Sequence, residues 1–493
     1  MRKFIYTIAM AAGLFAMQSC SSFLEEESQS EVIPETTEDF SEFLIGNGYP
    51  DHIGPNYSFI SMLDDDCTPD FSIQQIWNQE LGQYIDQNVF TNSTETPQWS
   101  ALYQWQPSMC DRDGNGNEVT NVENAYKGFY SKIMGCNAVL DNIDKAYGTQ
   151  ENRDRVKAEA LAVRAFHYFI LVNLFGEPYN YNKEALGVPA KLNANLAADG
   201  IERATVGYIY ENIIVPDLKE AIHLMKPLEV LTKNYRVNQP TLHAILSRVY
   251  LFMDKYDECI NEANEALKYG VKLQDMTTIN ASAMPYGWNP YDYDNPEILW
   301  MFGPGTPRTE STPFRCGKGD EVKNLYDKVN DVRYSIFGFP ESNWDIFKKT
   351  YGTYNIAQNI RVAEVILNRA EAAALANKPN IALDDLNTFC RNRIKNYTDQ
   401  NLAGDALLKA IRDERRKEFI YEGFRWFDLR RQGMPEIKHR YMFDDAGPVY
   451  VFTLKKNDPL YTLPLPNNLL NNNKALQQSP CRNEAERKST PEA

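Results

Sequence analysis

The sequence predicts a mostly α-helical protein, a scaffold of helix pairs that carries long irregular loop insertions and a few short β-strands. Three observations predict it. Between Val122 and Arg393, apolar residues recur at a spacing of three or four in segments joined two by two through short turns. From Lys272 to about Gly352 that pattern breaks. Pro285, Pro290, Pro296, Pro304, Pro307 and Pro313 exclude regular helix over the first half of this insertion. Near the C-terminus, Ile411 to Gly433 reads IRDERRKEFIYEGFRWFDLRRQG, which mixes acids, bases and aromatic rings on one helical face.

Taken in order, the chain begins with Arg2 and Lys3, an apolar run from Phe4 to Met17, then Gln18, Ser19 and Cys20. This is the layout of a secretory signal, and the run is too short to span a bilayer comfortably. It resembles a bacterial lipobox, although Met17 and Gln18 stand where Leu and Ala are commoner. Residues 1–19 are therefore expected to be a lipoprotein signal peptide, with Cys20 as the acylated residue that anchors the chain to a membrane. Residues 20–40, with Glu25, Glu26 and Glu27, are the expected tether. Residues 41–270 and 271–493 form the two parts of one compact unit.

Seven further cysteines follow, an odd number without a C-x-x-C pair, so neither a disulfide framework nor a structural zinc site is indicated. Cys136, Cys259 and Cys390 fall in helical patterns as small core residues. Cys67 and Cys110 are the pair to test for a bridge.

Residues 31–120 mix short apolar pieces with Pro, Gly, Asn and Asp, which predicts short helices and loops. Trp77, Tyr84, Trp99, Tyr103 and Trp105 fall here. Asp111 to Glu118, DRDGNGNE, places Asp111, Asp113 and Asn115 at the first, third and fifth positions of a calcium-loop pattern, with Gly at the sixth. Position twelve is Val122, so the bidentate Glu is missing and a tight polar turn is the expectation. No metal or other cofactor is expected.

The helix pairs follow. Val122–Tyr147 and Arg153–Phe175 form the first, with Gly176, Glu177 and Pro178 ending the second helix. Val206–Met225, Thr241–Met253, Tyr256–Tyr269, Arg361–Asn377 and Pro379–Arg393 continue the series. Asn238 to Gly270, with Ala244, Tyr250, Tyr256 and Ala266, is the clearest repeat and gives a tetratricopeptide-like scaffold. In the insertion, Tyr286, Trp288, Tyr291 and Tyr293 alternate with Asn289, Asp292, Asp294 and Asn295. Rings beside planar hydrogen-bonding groups suit a sugar, whose apolar face stacks while its hydroxyls need directed partners. A loop stapled to the scaffold by its own rings is the structural alternative. In Ile411–Gly433 the face of Leu408, Ile411, Arg415, Phe419 and Glu422 predicts a helix closed by a left-handed Gly423. Its charges are expected to clasp this segment to the scaffold.

That last stretch resembles the ER-R-E-x-x-x-E-G-x-R-W-x-D-L-x-R signature of SusD/RagB-type nutrient-binding lipoproteins. Other pieces are similar too: Asn295–Trp300 (NPEILW), Asp331 with Arg333, Asn359–Glu371 (NIRVAEVILNRAE), Ala382–Arg393 and Tyr461–Pro480. Cys390 and Ser479 depart from the usual residues. The resemblance implies a SusD-like fold and an outer-membrane lipoprotein facing the cell exterior. It also implies capture of an oligosaccharide or polysaccharide for delivery to a SusC-like TonB-dependent transporter. Some members bind peptides, which is the alternative. No ligand residue carries over by motif, so the candidates rest on loop placement: Trp288, Tyr291 and Tyr293 first, then Trp77, Trp99 and Trp344. Trp300 and Trp426 are expected in the core.

Composition is consistent with this. Aromatics make up 12% of 493 residues, and the net charge of -16 makes nucleic acid and anionic membrane surfaces poor partners, so the membrane is met through the lipid anchor only. The five histidines are isolated, and H-E-x-x-H, G-x-S-x-G and phosphate-loop motifs are absent from the sequence. A binding protein is expected, with a secreted glycoside hydrolase as the remaining reading, since two carboxylates need only converge in space.

Overall fold

The computed structural model describes residues 34–492 apart from 52–53, 70, 91–95, 196–199, 232–234, 281–294, 303–313, 317–319, 338–357, 421 and 444–446. The elements run α1 (Thr37–Asn47), β1 (Cys67–Pro69), β2 (Phe71–Asn78), β3 (Gln83–Phe90), α2 (Thr96–Tyr103), α3 (Asn121–Asn142), α4 (Gln150–Phe175), α5 (Tyr179–Asn182), β4 (Leu186–Pro189) and β5 (Arg203–Thr205). Next come α6 (Val206–Ile209), α7 (Val215–Met225), α8 (Gln239–Phe252), α9 (Tyr256–Leu267), β6 (Ile298–Phe302), β7 (Phe314–Cys316), α10 (Asp320–Lys323), α11 (Val332–Phe337) and β8 (Gln358–Arg361). The chain closes with α12 (Val362–Leu375), α13 (Pro379–Arg391), α14 (Gly404–Glu418), α15 (Arg425–Arg431), β9 (Ile437–Tyr441), β10 (Tyr450–Leu454), α16 (Asn467–Asn472) and β11 (Thr490–Pro491).

Local chemistry starts the helices where the sequence places them. Thr36 and Asp39 form a capping box on α1, the Thr149 hydroxyl accepts from Asn152 N, and Asn238 accepts from Thr241 N with Pro240 in the first turn of α8. Packing then links α3 to α4, α4 to α7, α7 to α8, α8 to α9, α9 to α12, and α12 to both α13 and α14. This is the expected row of helix pairs, interrupted between α9 and α12 by the insertion. The axis of the row is α4, buried without a break from Ala158 to Phe175. Its length and apolarity would suit a membrane span, but its apolar window is wholly inside the fold.

Sequence and structure differ in three places. Residues 71–90 form a two-stranded antiparallel hairpin, not short helices and loops. The C-terminal helix α14 stops at Glu418, one turn before Gly423, which does adopt the left-handed conformation (φ 76°) in the turn to α15. The 67–110 bridge is not formed, because Cys110 is a free thiol buried against Asp111 and Cys481, while Cys67 lies opposite Cys316 in the β1–β7 ladder.

Trp300 and Trp426 are fully buried as expected, the latter stacked on Tyr461 at 5.0 Å. Around them the core is charged as well as apolar. Glu418, fully buried, accepts from Arg393 Nε at 3.0 Å, from Arg333 Nη1 at 3.2 Å and from Arg361 Nη1. The same guanidiniums reach Glu297, Glu422, Asp331 and Glu414, so each cation is shared between acids. Phe419 lies 4.7 Å beneath Arg361 and Phe389 4.9 Å beneath Arg393. Burial alone would raise the Glu418 pKa, but Arg393, Arg361 and Arg333 hold it well below the usual carboxylate range. A second knot clasps α15 to α12. Asp428 pairs with Arg415 at 2.8 Å and Arg431 at 2.9 Å, and Arg431 reaches Glu371 at 2.6 Å. Against burial, Arg431, Arg412 and Arg415 hold the Glu371 carboxyl at about 2.

Two buried arginines pair with carbonyls and not with carboxylates. Arg430 donates to Asn173 O and Gly176 O, and Arg203 donates to Phe175 O at 2.7 Å, all at the C-terminal end of α4. Free carbonyls and the negative end of the helix dipole supply the counter-charge. Burial pushes Arg430 down to about 10.

His167 sits on α4, fully buried, with Nε2 2.8 Å from Gly48 O and Nδ1 without a hydrogen-bond partner. Burial pushes its pKa from 6.5 to about 4, so the ring is neutral in the fold, with Nε2 as donor to Gly48 O.

Breaking either charged knot should cost far more than a surface substitution. Glu418→Gln or Asp428→Ala is expected to lower unfolding free energy by about 3–5 kcal/mol in urea titration, since buried cations lose their acids. A change under about 1 kcal/mol would refute the role assigned to the knots. Because His167 takes up its proton more readily once unfolded, its contribution is intact above pH 6.5 and is lost as pH falls toward 4. His167→Gln, which keeps a donor toward Gly48 O, should flatten that part of the stability–pH curve; an unchanged slope would contradict the assignment.

Candidate ligand-binding site

The β2–β3 hairpin turns through Gln79–Gly82. Asn78 Oδ1 accepts from Leu81 N and Asn78 O accepts from Gly82 N, both at 2.9 Å, and Gly82 takes the left-handed φ of 60° that closes the turn. This register sets Trp77 opposite Tyr84 and Ile76 opposite Ile85 on the reverse face. The Trp77 and Tyr84 rings meet edge to face at 5.2 Å and 71°, and they are 52% and 64% exposed. A T-shaped pair standing in solvent is a preformed platform, with the exposed amide of Gln75 on the same face.

The root of the hairpin is held by charge. Asp64, Asp65 and Asp66 lead directly into β1; Arg425 grips Asp65 through two 2.6 Å bonds and Arg416 Nη2 lies 2.6 Å from Asp66. The three carboxylates are close enough to share a cation, but those of Asp65 and Asp66 are engaged by guanidiniums, which makes the cluster an ion-pair knot. Burial, with Asp66 and Asp65 beside it, pushes the Asp64 carboxyl well above its ordinary value. Beneath the knot, His439 stacks between Tyr103 at 4.1 Å and Trp105 at 3.9 Å, its nitrogens 2.8 Å from Asp64 O and 2.7 Å from Tyr103 O. The hairpin is thus mounted on the C-terminal clasp. β1, which leads into the hairpin, pairs antiparallel with β7 in a two-stranded sheet of its own, separate from that of β2 and β3.

The candidates from sequence are distributed as follows. Trp77 is on the exposed platform. Trp99, in α2, is half-buried against the hydrophobic core, a packing position. Trp288, Tyr291, Tyr293, Trp344 and Cys20 lie outside the described residues. Asp113 turns its carboxylate into its own loop, accepting from Asn115 N and Asn117 N at 2.8 Å and from Asn117 Nδ2 at 3.0 Å; Asp111 Oδ1 accepts from Asn467 N at 2.7 Å. These bonds make the tight polar turn expected there. Tyr84 was not a candidate by sequence, and the signal for it is the Asn78-x-x-x-Gly82 turn, which pairs it with Trp77.

Comparison with known proteins agrees with the fold. A family model described as starch-binding associating with outer membrane matches residues 22–251, and one described as SusD family matches residues 318–481. A SusD-like protein of Formosa agariphila is 24% identical over 511 residues, covering 86% of this chain and 90% of that protein. A SusD superfamily protein from Bacteroides thetaiotaomicron has a TM-score of 0.68 at 22% identity, covering 90% of this chain and all of its own. A SusD-like carbohydrate binding protein from Bacteroides vulgatus has a TM-score of 0.62 at 21% identity, covering 90% of this chain and 97% of its own.

Proposed function

Because the chain belongs to the SusD family, whose hallmark is carbohydrate binding at the outer membrane, we propose that it captures an oligosaccharide or polysaccharide at the cell surface and delivers it to a SusC-like TonB-dependent transporter. The observation that carries the proposal is the Trp77–Tyr84 pair: two large rings held in solvent by a hairpin whose root is fixed by ion pairs. A pyranose presents an apolar face that stacks on such a ring, with hydroxyls left for Gln75 and its neighbours. Trp288, Tyr291 and Tyr293, alternating with Asn and Asp in the insertion, supply further stacking positions in this proposal. Binding is proposed without turnover. Cys20 is proposed as the acylated residue, and the tether expected over residues 20–40 is shortened to the residues before Glu35, since Glu35–Phe40 belong to the fold; it holds the domain at the exterior face of the outer membrane in this proposal.

Calorimetry of the soluble domain against a panel of glycans, with chromatography of the products, tests this directly. Saturable binding without product is expected, and Trp77→Ala should weaken it by about tenfold or more while the melting transition stays within about 1 °C. Turnover of the glycan would overturn the binding assignment, and binding of peptides alone would reassign the ligand. For the anchor, labelled palmitate should enter the full-length chain and fail to enter Cys20→Ala; equal labelling of both would remove Cys20 from that role.

A further inference from the structure

A cavity of about 470 Å³ opens at the C-terminal end of α4, between α5 and the closing segment that holds Asn457, Thr462 and Ser479. The buried acids Glu159, Glu297, Glu364, Glu371 and Glu418 are each committed to arginines. Arg203, which lines the cavity, is committed as well. Its five N–H groups go to Gly187 O, Gln477 O, Ser479 Oγ, Phe175 O and Leu186 O. The cavity departs from this rule. Among the described residues, the side chains of Glu177, Tyr181, Asn182, Glu184 and Asn457, all in its lining, make no hydrogen bond or ion pair.

The uncommitted set has a definite chemistry. Two carboxylates accept from hydroxyls, and two primary amides both donate and accept, the combination that vicinal hydroxyls require. Tyr181, 55% exposed, offers a ring face, and the exposed Pro459 adds apolar surface for the C–H side of a sugar. The volume lies in the lower part of the range for small-molecule sites, enough for one or two rings. With every Arg203 N–H group already taken, a sugar carboxylate finds no guanidinium donor here, while Glu177 and Glu184 accept from hydroxyls and not from a carboxylate. We infer that this cavity is a second saccharide site, separate from the hairpin platform, that takes one or two rings of an uncharged sugar. The inference stands on the lining of the cavity and does not require Trp77.

The test uses the full mature chain and four probes: methyl α-glucoside, methyl α-mannoside, methyl β-galactoside and glucuronic acid, titrated by saturation-transfer NMR. At least one hexoside should bind, glucuronic acid should not compete, and Tyr181→Ala or the double variant Glu177→Gln/Glu184→Gln should weaken binding by about tenfold or more. All titrations are run in the Trp77→Ala background, so that stacking on the hairpin does not contribute to the signal. These side chains are partly or fully solvent-exposed, and thermal melts check that each variant keeps its fold. The inference is overturned if no hexoside binds in that background, if binding survives both cavity variants, or if glucuronic acid competes. Failure of the hairpin proposal reads differently: polysaccharide binding would then be indifferent to Trp77→Ala whatever the hexosides do.

Discussion

Everything in this structure leans on one buried carboxylate, Glu418, and the three guanidiniums that converge on it. Arg333 precedes β8, Arg361 ends it and Arg393 follows α13, so three distant segments become one body only when Glu418 is ionised and in place. Isolated ions of this kind would be prohibitively costly to bury. Here every cation is shared among Glu297, Asp331, Glu414, Glu418 or Glu422 and stacked on a phenylalanine, so the desolvation is offset only in the native register. The knot therefore selects one arrangement of the insertion roots more than it adds stability.

Buried or half-buried arginines recur at the two places where the scaffold meets a proposed binding element. Arg430 and Arg203 close the end of α4 through carbonyls, and the cavity opens beside them. Arg416 and Arg425 hold Asp66 and Asp65 at the root of the hairpin, with His439 wedged between two rings below. Exposed rings gain affinity when they need no ordering on contact, and anchoring their root in a rigid ion-pair lattice supplies that order in advance.

How far the sequence reveals this depends on whether the signal is periodic. The helix pairs are legible because a buried face must repeat every three or four residues, and α4, α8, α9, α12 and α13 start and stop within a few residues of their expected bounds. Trp300 and Trp426 are legible as core because both lie inside motifs that resemble those of the family. The hairpin is not, because Gln74 and Gln75 interrupt the alternation of Phe71, Ile73 and Ile76, and a strand exposed on both faces has no core to impose a period. The helix end at Glu418 is hidden by tertiary demand: continuing α14 through Phe419 would move Glu422 away from Arg361, which it meets at 2.8 Å. The cavity at Tyr181 is assembled from residues nearly 300 positions apart, such as Glu177 and Ser479, and local sequence carries no trace of such an encounter.

One feature of the ladder between β6 and β8 bears on how such a protein changes over time. Phe302 pairs with Gln358, so the chain leaves and re-enters the scaffold at adjacent points, and the Glu297–Arg361 contact locks the doorway. The entropy of closing an excursion grows only with the logarithm of its length, so lengthening or replacing what lies between those two strands alters the cost of folding little. Foldability is thereby placed on residues outside the excursion. A lineage built this way is free to rewrite the excursion, while the arginines at its threshold stay as they are.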